Sequence, residues 1–386
     1  MPSFLDIHDN KQIQFAKSRD LGYNLYTFTP KPLAEIELSI ENELLPLLIT
    51  AHQKLGELKG MLECIDDKSF IIKLFQVDEA ISSCGIDNIE VDLLDLFIGN
   101  KQVDTFAISK VNKYRNAMHF TKAKNITLKA ICNLHATVMA EDETEYWINR
   151  QPDFLGRVRT IQTQLLLDNR LSVINVLQYN PTPPEHLEKL FDEMLEYYNK
   201  NSEHDILIKS AMMHYQFESL HPFLGGNGRI GRLLIHKTLV NSDLLNHSIL
   251  PFSEYLVQNK WEYFDRLWSA QYSQNLIPWI KYFLTGMINS SELTIRRIST
   301  YAEIRKRNLD AIANCGSHER NLMLIYKYLE TNLVIDIRTV AEVLSVSFNT
   351  ASKIVHMLIE LDILRPLDSK KRYKVYVYSM ISAILN

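Results

Sequence analysis

The chain has 386 residues, 46% apolar and 23% charged, long enough for two or three domains around a substantial core. Its net charge of −4 excludes a global pull towards nucleic acid, so any DNA contact must come from a local patch. Four scattered cysteines without a CxxC or Cys/His cluster argue against structural zinc or a disulfide framework. With no secretory signal and no apolar run near the ~20 residues of a membrane span, a cytoplasmic chain with no membrane partner is expected.

Apolar residues recur mostly at helical spacing. LLPLLITAHQKLGELKGMLECI (44–65) predicts an amphipathic helix, and 70–97 predicts helix with a break near Gly85. ITLKAICNLHATVM (126–139) and PPEHLEKLFDEMLEYYNK (183–200) are further helices, the second opening on prolines. Between them, 156–183 is β-branched and turn-rich, which predicts a short hairpin. DILIKSAMMHYQFESL (205–220) reads as a central apolar helix, and another runs from about Asn227 to Asn241. Helices then continue through YLVQNKWEYFDRLWSAQ and WIKYFLTGMINSSELTIRRISTYAEIRKR. The last ~70 residues change character: helix, a turn at Ser345-Val346-Ser347, helix, then two strands around 368–372, the order of a winged helix-turn-helix.

The stretch HPFLGGNGRIGRLLI (221–235) carries the chemistry. Gly226-Asn227-Gly228-Arg229-Ile230-Gly231 fits GxGxxG, but a dinucleotide fold needs a strand before the glycines and an acid ~20 residues later. Here a helix precedes them, Asp243 comes too early, and no GxxxxGK(S/T) occurs anywhere. The loop still reads as a phosphate site: small residues let backbone N–H groups converge, and a helix N-terminus adds unpaired donors. Asn227 can add a side-chain amide, while Arg229 and Arg232, three apart, can clamp further anionic oxygens. The alternative is a tight turn whose arginines meet carboxylates of the chain. A lone histidine is usually structural; His221, fixed by Pro222 and Phe223 beside an anion site, is placed for general-base work on a hydroxyl.

HPFLGGNGRIGR resembles the Fic-family motif HPFx(D/E)GNGRxxR, and the flanks agree over about residues 30–380. The fold class implied is mainly α: a Fic-type helical core with a short β-hairpin flap, plus a C-terminal winged-helix domain. The expected organisation is an N-terminal helical region (1–110), the core (111–290), a helical linker (291–316) and the winged helix (317–386). The activity implied is AMP transfer from ATP to a Ser, Thr or Tyr hydroxyl of a protein substrate. By the resemblance, His221 is the base; Gly226, Asn227, Gly228 and Arg229 hold the α- and β-phosphates; Arg232 holds the γ-phosphate. Tyr263 and Phe264 occupy the place of a Tyr-Tyr pair near the adenine, and the hairpin at 156–178 lays a target segment across the site.

Two departures stand out. Gly225 replaces the acid that binds magnesium in the family, so Mg2+ is left without a protein carboxylate and transfer should slow. Ser83-Cys84-Gly85-Ile86-Asp87-Asn88 resembles the inhibitory motif (S/T)xxxE(G/N), with Asp87 one methylene shorter than the family glutamate. The expectation is a weakened Asp87–Arg232 clamp within a motif of Ser83, Asp87 and Asn88; the alternative is that Asp87 only caps the next turn. For the C-terminal domain, a recognition helix at 348–353 and wing residues Lys370, Lys371, Arg372 and Lys374 suit weak DNA binding, strengthened in a homodimer, or protein contact alone. The competing function is an ATP-sensing, DNA-binding regulator with a catalytically weak core. A variant acting on another nucleotide or hydrolysing AMP–protein bonds is a third option.

Overall fold

The computed structural model describes residues 13–17, 24–38, 43–98, 105–119, 125–140, 153–163, 181–200, 203–367 and 374–385. It opens with β1 (Ile13–Lys17) and β2 (Asn24–Phe28), paired antiparallel with Ile13 opposite Phe28. This strand pair lies within the region expected to be helical. From there to residue 313 the described elements are helical.

Helix α1 (Leu45–Glu63) buries Leu48, Ala51, Leu55, Leu58 and Leu62, the stripe that three- and four-residue steps place on one face. Helix α2 (Ser69–Ile86) includes Gly85 and stops one residue after it, so the break expected near Gly85 falls at the end of the helix. It ends because Asn88 turns left-handed (φ 61°), with its N–H donating to the Gly85 carbonyl and that of Ile89 to the Cys84 carbonyl. Short α3 (Asp95–Ile98) and α4 (Thr105–Ala117) follow. Buried Glu79 fastens α2 to its neighbours, accepting from the Tyr114 hydroxyl of α4 (3.2 Å) and the Ser253 backbone N–H (2.8 Å).

Helix α5 (Leu128–Met139) starts where the Thr127 side chain accepts the Ala130 N–H, and α6 (Pro184–Lys200) follows. Helix α7 (Ile206–Leu220) starts on Asp205, whose carboxylate accepts the Leu207 N–H at 2.8 Å. Apart from Ile206 and Lys209, all its side chains are buried, as befits a helix covered on every side. α8 (Asn227–Asn241) packs against α7. α9 (Phe252–Gln258) covers α2, and α10 (Lys260–Ser273) leads to the 37-residue α11 (Ile277–Ala313), which lies along α1. Trp279 of α11 reaches the centre of the core, and its indole N–H donates to the Ala211 carbonyl of α7 at 2.8 Å. α11 passes straight through residue 290, so core and linker share one helix. Among the described residues no helix is long and apolar enough to cross a membrane.

The C-terminal part comprises α12 (Glu319–Asn332), β3 (Val334–Asp336), α13 (Ile337–Leu344), α14 (Phe348–Glu360), β4 (Leu364–Pro366), β5 (Val375–Tyr378) and α15 (Met380–Leu385). Its antiparallel sheet has the order β3-β5-β4. Ser345 (φ 53°) turns the chain between α13 and α14, and the Ser347 side chain caps α14 at the Thr350 N–H. Three of the expected wing residues, Lys370, Lys371 and Arg372, lie outside the described residues, as does most of the expected hairpin; its described parts, 156–163 and 181–183, contain no strand.

Candidate active site

The stretch 221–232 joins the C-terminus of α7 to the N-terminus of α8, and its backbone polar groups divide by type. The carbonyls are consumed by the protein. Ser219 O accepts the Thr182 N–H (3.3 Å), Leu220 O accepts Arg159 Nη2 (3.1 Å), and His221 O accepts Arg159 Nε (2.8 Å). Pro222 O accepts the Arg159 backbone N–H at 2.8 Å, Phe223 O accepts Asn227 Nδ2 at 2.7 Å, and Gly225 O meets His135 Nε2 at 3.1 Å. The N–H groups of Gly226, Asn227 and Gly228 are different: no carbonyl among the described residues accepts them. With acceptors turned inwards and donors left over, the loop presents a positive concavity at a helix start.

Gly226 makes that start possible. It is the N-cap of α8 at φ 73°, and a Cβ there would lie 2.6 Å from Met139 Sδ. The ring of His135 stacks on Phe223, with centroids 4.0 Å apart. Its Nδ1 accepts the Gly156 N–H (2.9 Å), so the proton sits on Nε2 and is donated to Gly225 O. Burial pushes this imidazole down to about 4, which keeps it neutral in that role.

His221 caps α7 in the left-handed region (φ 48°, ψ 61°), a conformation that costs a non-glycine residue about 1–2 kcal/mol. Its side chain is 12% exposed, and Nδ1 lies 3.9 Å from Glu218 Oε2, beyond hydrogen-bond reach. Burial first, and then the Arg159 charge, push the imidazole down to about 3, so it is neutral. Burial pushes the Glu218 carboxyl the other way, up to about 7, against the pull of Arg232. A Cβ on Gly231 would run into Glu218 Oε1, so this glycine is what lets α7 and α8 approach here.

Arg229 and Arg232 are both buried, and both reach Asp87. Arg229 Nε lies 3.1 Å from Oδ2 and Arg232 Nη2 lies 3.3 Å from Oδ1. Arg232 also donates from Nε to Ser83 Oγ (2.7 Å) and from Nη2 to Ser83 O (2.8 Å). Burial alone would lower the Arg232 guanidinium, but Asp87 and the nearby tyrosines outweigh it and raise it further. Asn88 supplies the left-handed turn, and its Oδ1 accepts from Lys260 Nζ at 2.8 Å. Three of the sequence-predicted residues, Ser83, Asp87 and Arg232, are thus brought together, and Arg229 joins them through the second oxygen of Asp87.

Two other residues sit differently from expectation. The side-chain amide of Asn227 does not point outwards: Oδ1 accepts the Phe223 N–H at 2.9 Å while Nδ2 donates to Phe223 O, so it shapes the loop from within. Tyr263 is in the core, its hydroxyl 2.8 Å from His214 Nε2 and its ring packed against Trp279. The half-buried Phe264 is left with the more accessible ring of the pair. His135 and Arg159 were not singled out in the sequence. Neither is near the motif in the chain, and a histidine at 135 inside an apolar helix reads as a core residue.

The donors present do not fit a protein-held magnesium ion. Position 225 has no carboxylate and its carbonyl is engaged by His135, and among the described residues no group of three His, Cys, Asp or Glu side chains converges.

The Fic/DOC family model matches residues 125–239, and the Fic/DOC N-terminal model matches residues 45–122. The chain is 28% identical over 193 residues to protein adenylyltransferase fic-1 of Caenorhabditis elegans, a match covering 50% of this chain and 32% of that protein. It is 33% identical over 84 residues to a probable protein adenylyltransferase of Aquifex aeolicus, 22% of this chain and 26% of that one. The matches thus span about a third or less of these relatives' length. Among solved structures, a Fic family protein of Desulfovibrio desulfuricans superposes with TM-score 0.53 at 16% identity, over 87% of this chain and 96% of that one. A Fic-domain signalling protein of Bacteroides thetaiotaomicron gives TM-score 0.50 at 17% identity, over 65% and 98%. These likenesses speak for the fold, a mainly α Fic core.

Proposed function

The chain belongs to the Fic/DOC family, and from that premise we propose that it is a self-inhibited protein adenylyltransferase. ATP is the substrate that the open N–H groups of Gly226, Asn227 and Gly228 would hold by its phosphates, with Arg229 and Arg232 on the outer oxygens. Three amides at a helix start balance anionic oxygens without needing a cation at each one. The single observation that carries the reading is this row of unengaged amides beside a neutral, partly exposed imidazole.

A Ser, Thr or Tyr hydroxyl of a target protein attacks the α-phosphorus; its O–P bond forms as the bond from the α-phosphorus to the bridging oxygen breaks. Pyrophosphate leaves with that electron pair, and the hydroxyl proton passes to His221. Because Nδ1 is shielded near Glu218, the base role falls to Nε2. The imidazolium so formed gains from the Glu218 carboxyl 3.9 Å away, which also titrates near neutrality. No step is routed through magnesium, since position 225 has no carboxylate to bring it.

Self-inhibition rests on Asp87. Its carboxylate occupies both arginines at once, so a γ-phosphate would compete with a charge already in place. One carboxylate of the shorter acid thereby serves two guanidinium groups.

A second reading has its own observation. The C-terminal part, which we assign as a winged helix, rests on the helix that carries Asp87. The rings of Phe70 and Tyr378 are 5.9 Å apart, and Lys73 Nζ donates to the Thr331 carbonyl at 2.7 Å. Arg297 of α11 joins Asp78 of α2, Glu254 of α9 and the Leu385 carbonyl. A partner held by that domain, DNA or a second copy of the chain, would therefore act on α2, which favours a nucleotide-responsive regulator. One experiment separates the two: mass spectrometry of the purified chain after incubation with ATP and magnesium. An AMP adduct that vanishes in His221→Ala supports the transferase, whereas ATP protection against unfolding with no adduct, even in Asp87→Gly, supports the regulator.

A further inference from the structure

We propose that Arg159 is the positioning residue for His221: its guanidinium collects the carbonyls where α7 ends and so fixes the left-handed turn that aims the imidazole at the phosphate loop. The proposal rests on the reading of His221 as the base.

His221 is a costly place for a turn. It is left-handed without being glycine, and it precedes Pro222, whose ring disfavours most conformations of the residue before it. A glycine would relieve the strain, but it would remove the imidazole. Something must therefore hold the turn from outside. Arg159 Nε donates to His221 O and Nη2 to Leu220 O, while its backbone N–H takes Pro222 O, so three consecutive carbonyls are bound by one residue. Nη2 also donates to Thr182 O and Nη1 to Ile161 O, which anchor the fork itself.

The side chain is buried, and none of the ion pairs among the described residues includes it. A buried cation whose hydrogen bonds all go to neutral carbonyls, with the Glu185 charge beyond ion-pair distance as its offset, is an expensive way to close a loop. Its charge does something that a neutral residue could not: burial is the main cause that keeps the imidazole neutral, and the Arg159 charge adds to it by disfavouring a second cation there. The other charged groups around that ring are Glu218 on α7, 3.9 Å away, and the α8 arginines, which are turned to Asp87.

The test compares Arg159→Met and Arg159→Lys with the natural chain. The His221 imidazole is followed by NMR across pH, and adduct formation is measured in parallel. Expected for Arg159→Met is an upward move of the His221 midpoint towards the ordinary histidine value, with the rate of AMP transfer falling about a hundredfold. The KM for ATP is expected to stay unchanged, because the amide cradle belongs to α8. Arg159→Lys should keep the low midpoint yet lose most of the rate, since an ammonium cannot reproduce the planar fork that holds Leu220 O and His221 O together. If Arg159→Met does not fold, Arg159→Gln carries the same comparison. An unchanged midpoint and rate in a folded, uncharged variant overturns the proposal. If neither the natural chain nor Asp87→Gly forms an adduct, the adenylyltransferase reading fails, while the imidazole titration still decides the role of Arg159.

Discussion

The two helix ends that meet at the loop are opposites. At the end of α7 every carbonyl from Ser219 to Phe223 has a donor, drawn from Thr182, Arg159 and Asn227. At the start of α8 three successive amides, Gly226 to Gly228, have no acceptor among the described carbonyls. A helix terminus leaves four backbone groups unpaired by its own geometry, so the difference lies in what the rest of the fold supplies. The saturated end holds a strained residue still; the open end keeps its donors for an incoming anion. Rigidity and binding capacity are thereby separated by five residues of chain.

The contrast can be broken most severely at the open end. Gly226→Ala puts a methyl against Met139 Sδ in a backbone conformation that alanine adopts poorly. We expect ATP affinity to fall at least about tenfold, some 1.4 kcal/mol, read as a lost shift in thermal midpoint on adding ATP. Unchanged protection would mean that the amides are not the cradle.

Next in size is the charge that covers the open end. Asp87→Gly frees Arg229 and Arg232 together, and self-modification with labelled ATP should rise about tenfold, the worth of charged hydrogen bonds at the low end of their range. No rise would reduce Asp87 to a structural ion pair. Gly225→Asp restores a carboxylate beside the loop, and a smaller gain of a few-fold is expected, visible only with magnesium present.

The smallest effect sharpens the closed end. The buried His214 and His135 and the largely enclosed His221 are pushed down to about 3, 4 and 3. Between those values and the ordinary 6.5, the unfolded chain binds more protons than the folded one, so stability rises with pH in that window. The thermal midpoint should therefore drop as pH falls from 6.5 towards 4. Glu218, pushed up to about 7, contributes in the opposite sense: its stabilising share is complete below about 4.5 and lost by 7. Glu218→Gln should remove that opposing share and make the acid loss steeper; an identical pH profile would show that the carboxyl is not buried as described.

The amino-acid sequence by itself determined the helices and the motif. Leucine spacing specifies α1, apolar density specifies α7, and the side chains of Thr127, Asp205 and Ser347 mark helix starts, because helical periodicity and capping involve residues only a few positions apart. The proximity of Asp87 to Arg232 was legible for a different reason, the resemblance of two short segments to family motifs. Only the tertiary structure decided that Asp87 would serve Arg229 as well, that Asn227 would turn inwards and that Tyr263 would be buried on His214. It alone brought Arg159 to the carbonyls of residues 220–222 and His135 to that of Gly225. A backbone carbonyl leaves no mark in the sequence to show which distant side chain will meet it, so these choices arise only when the helices pack.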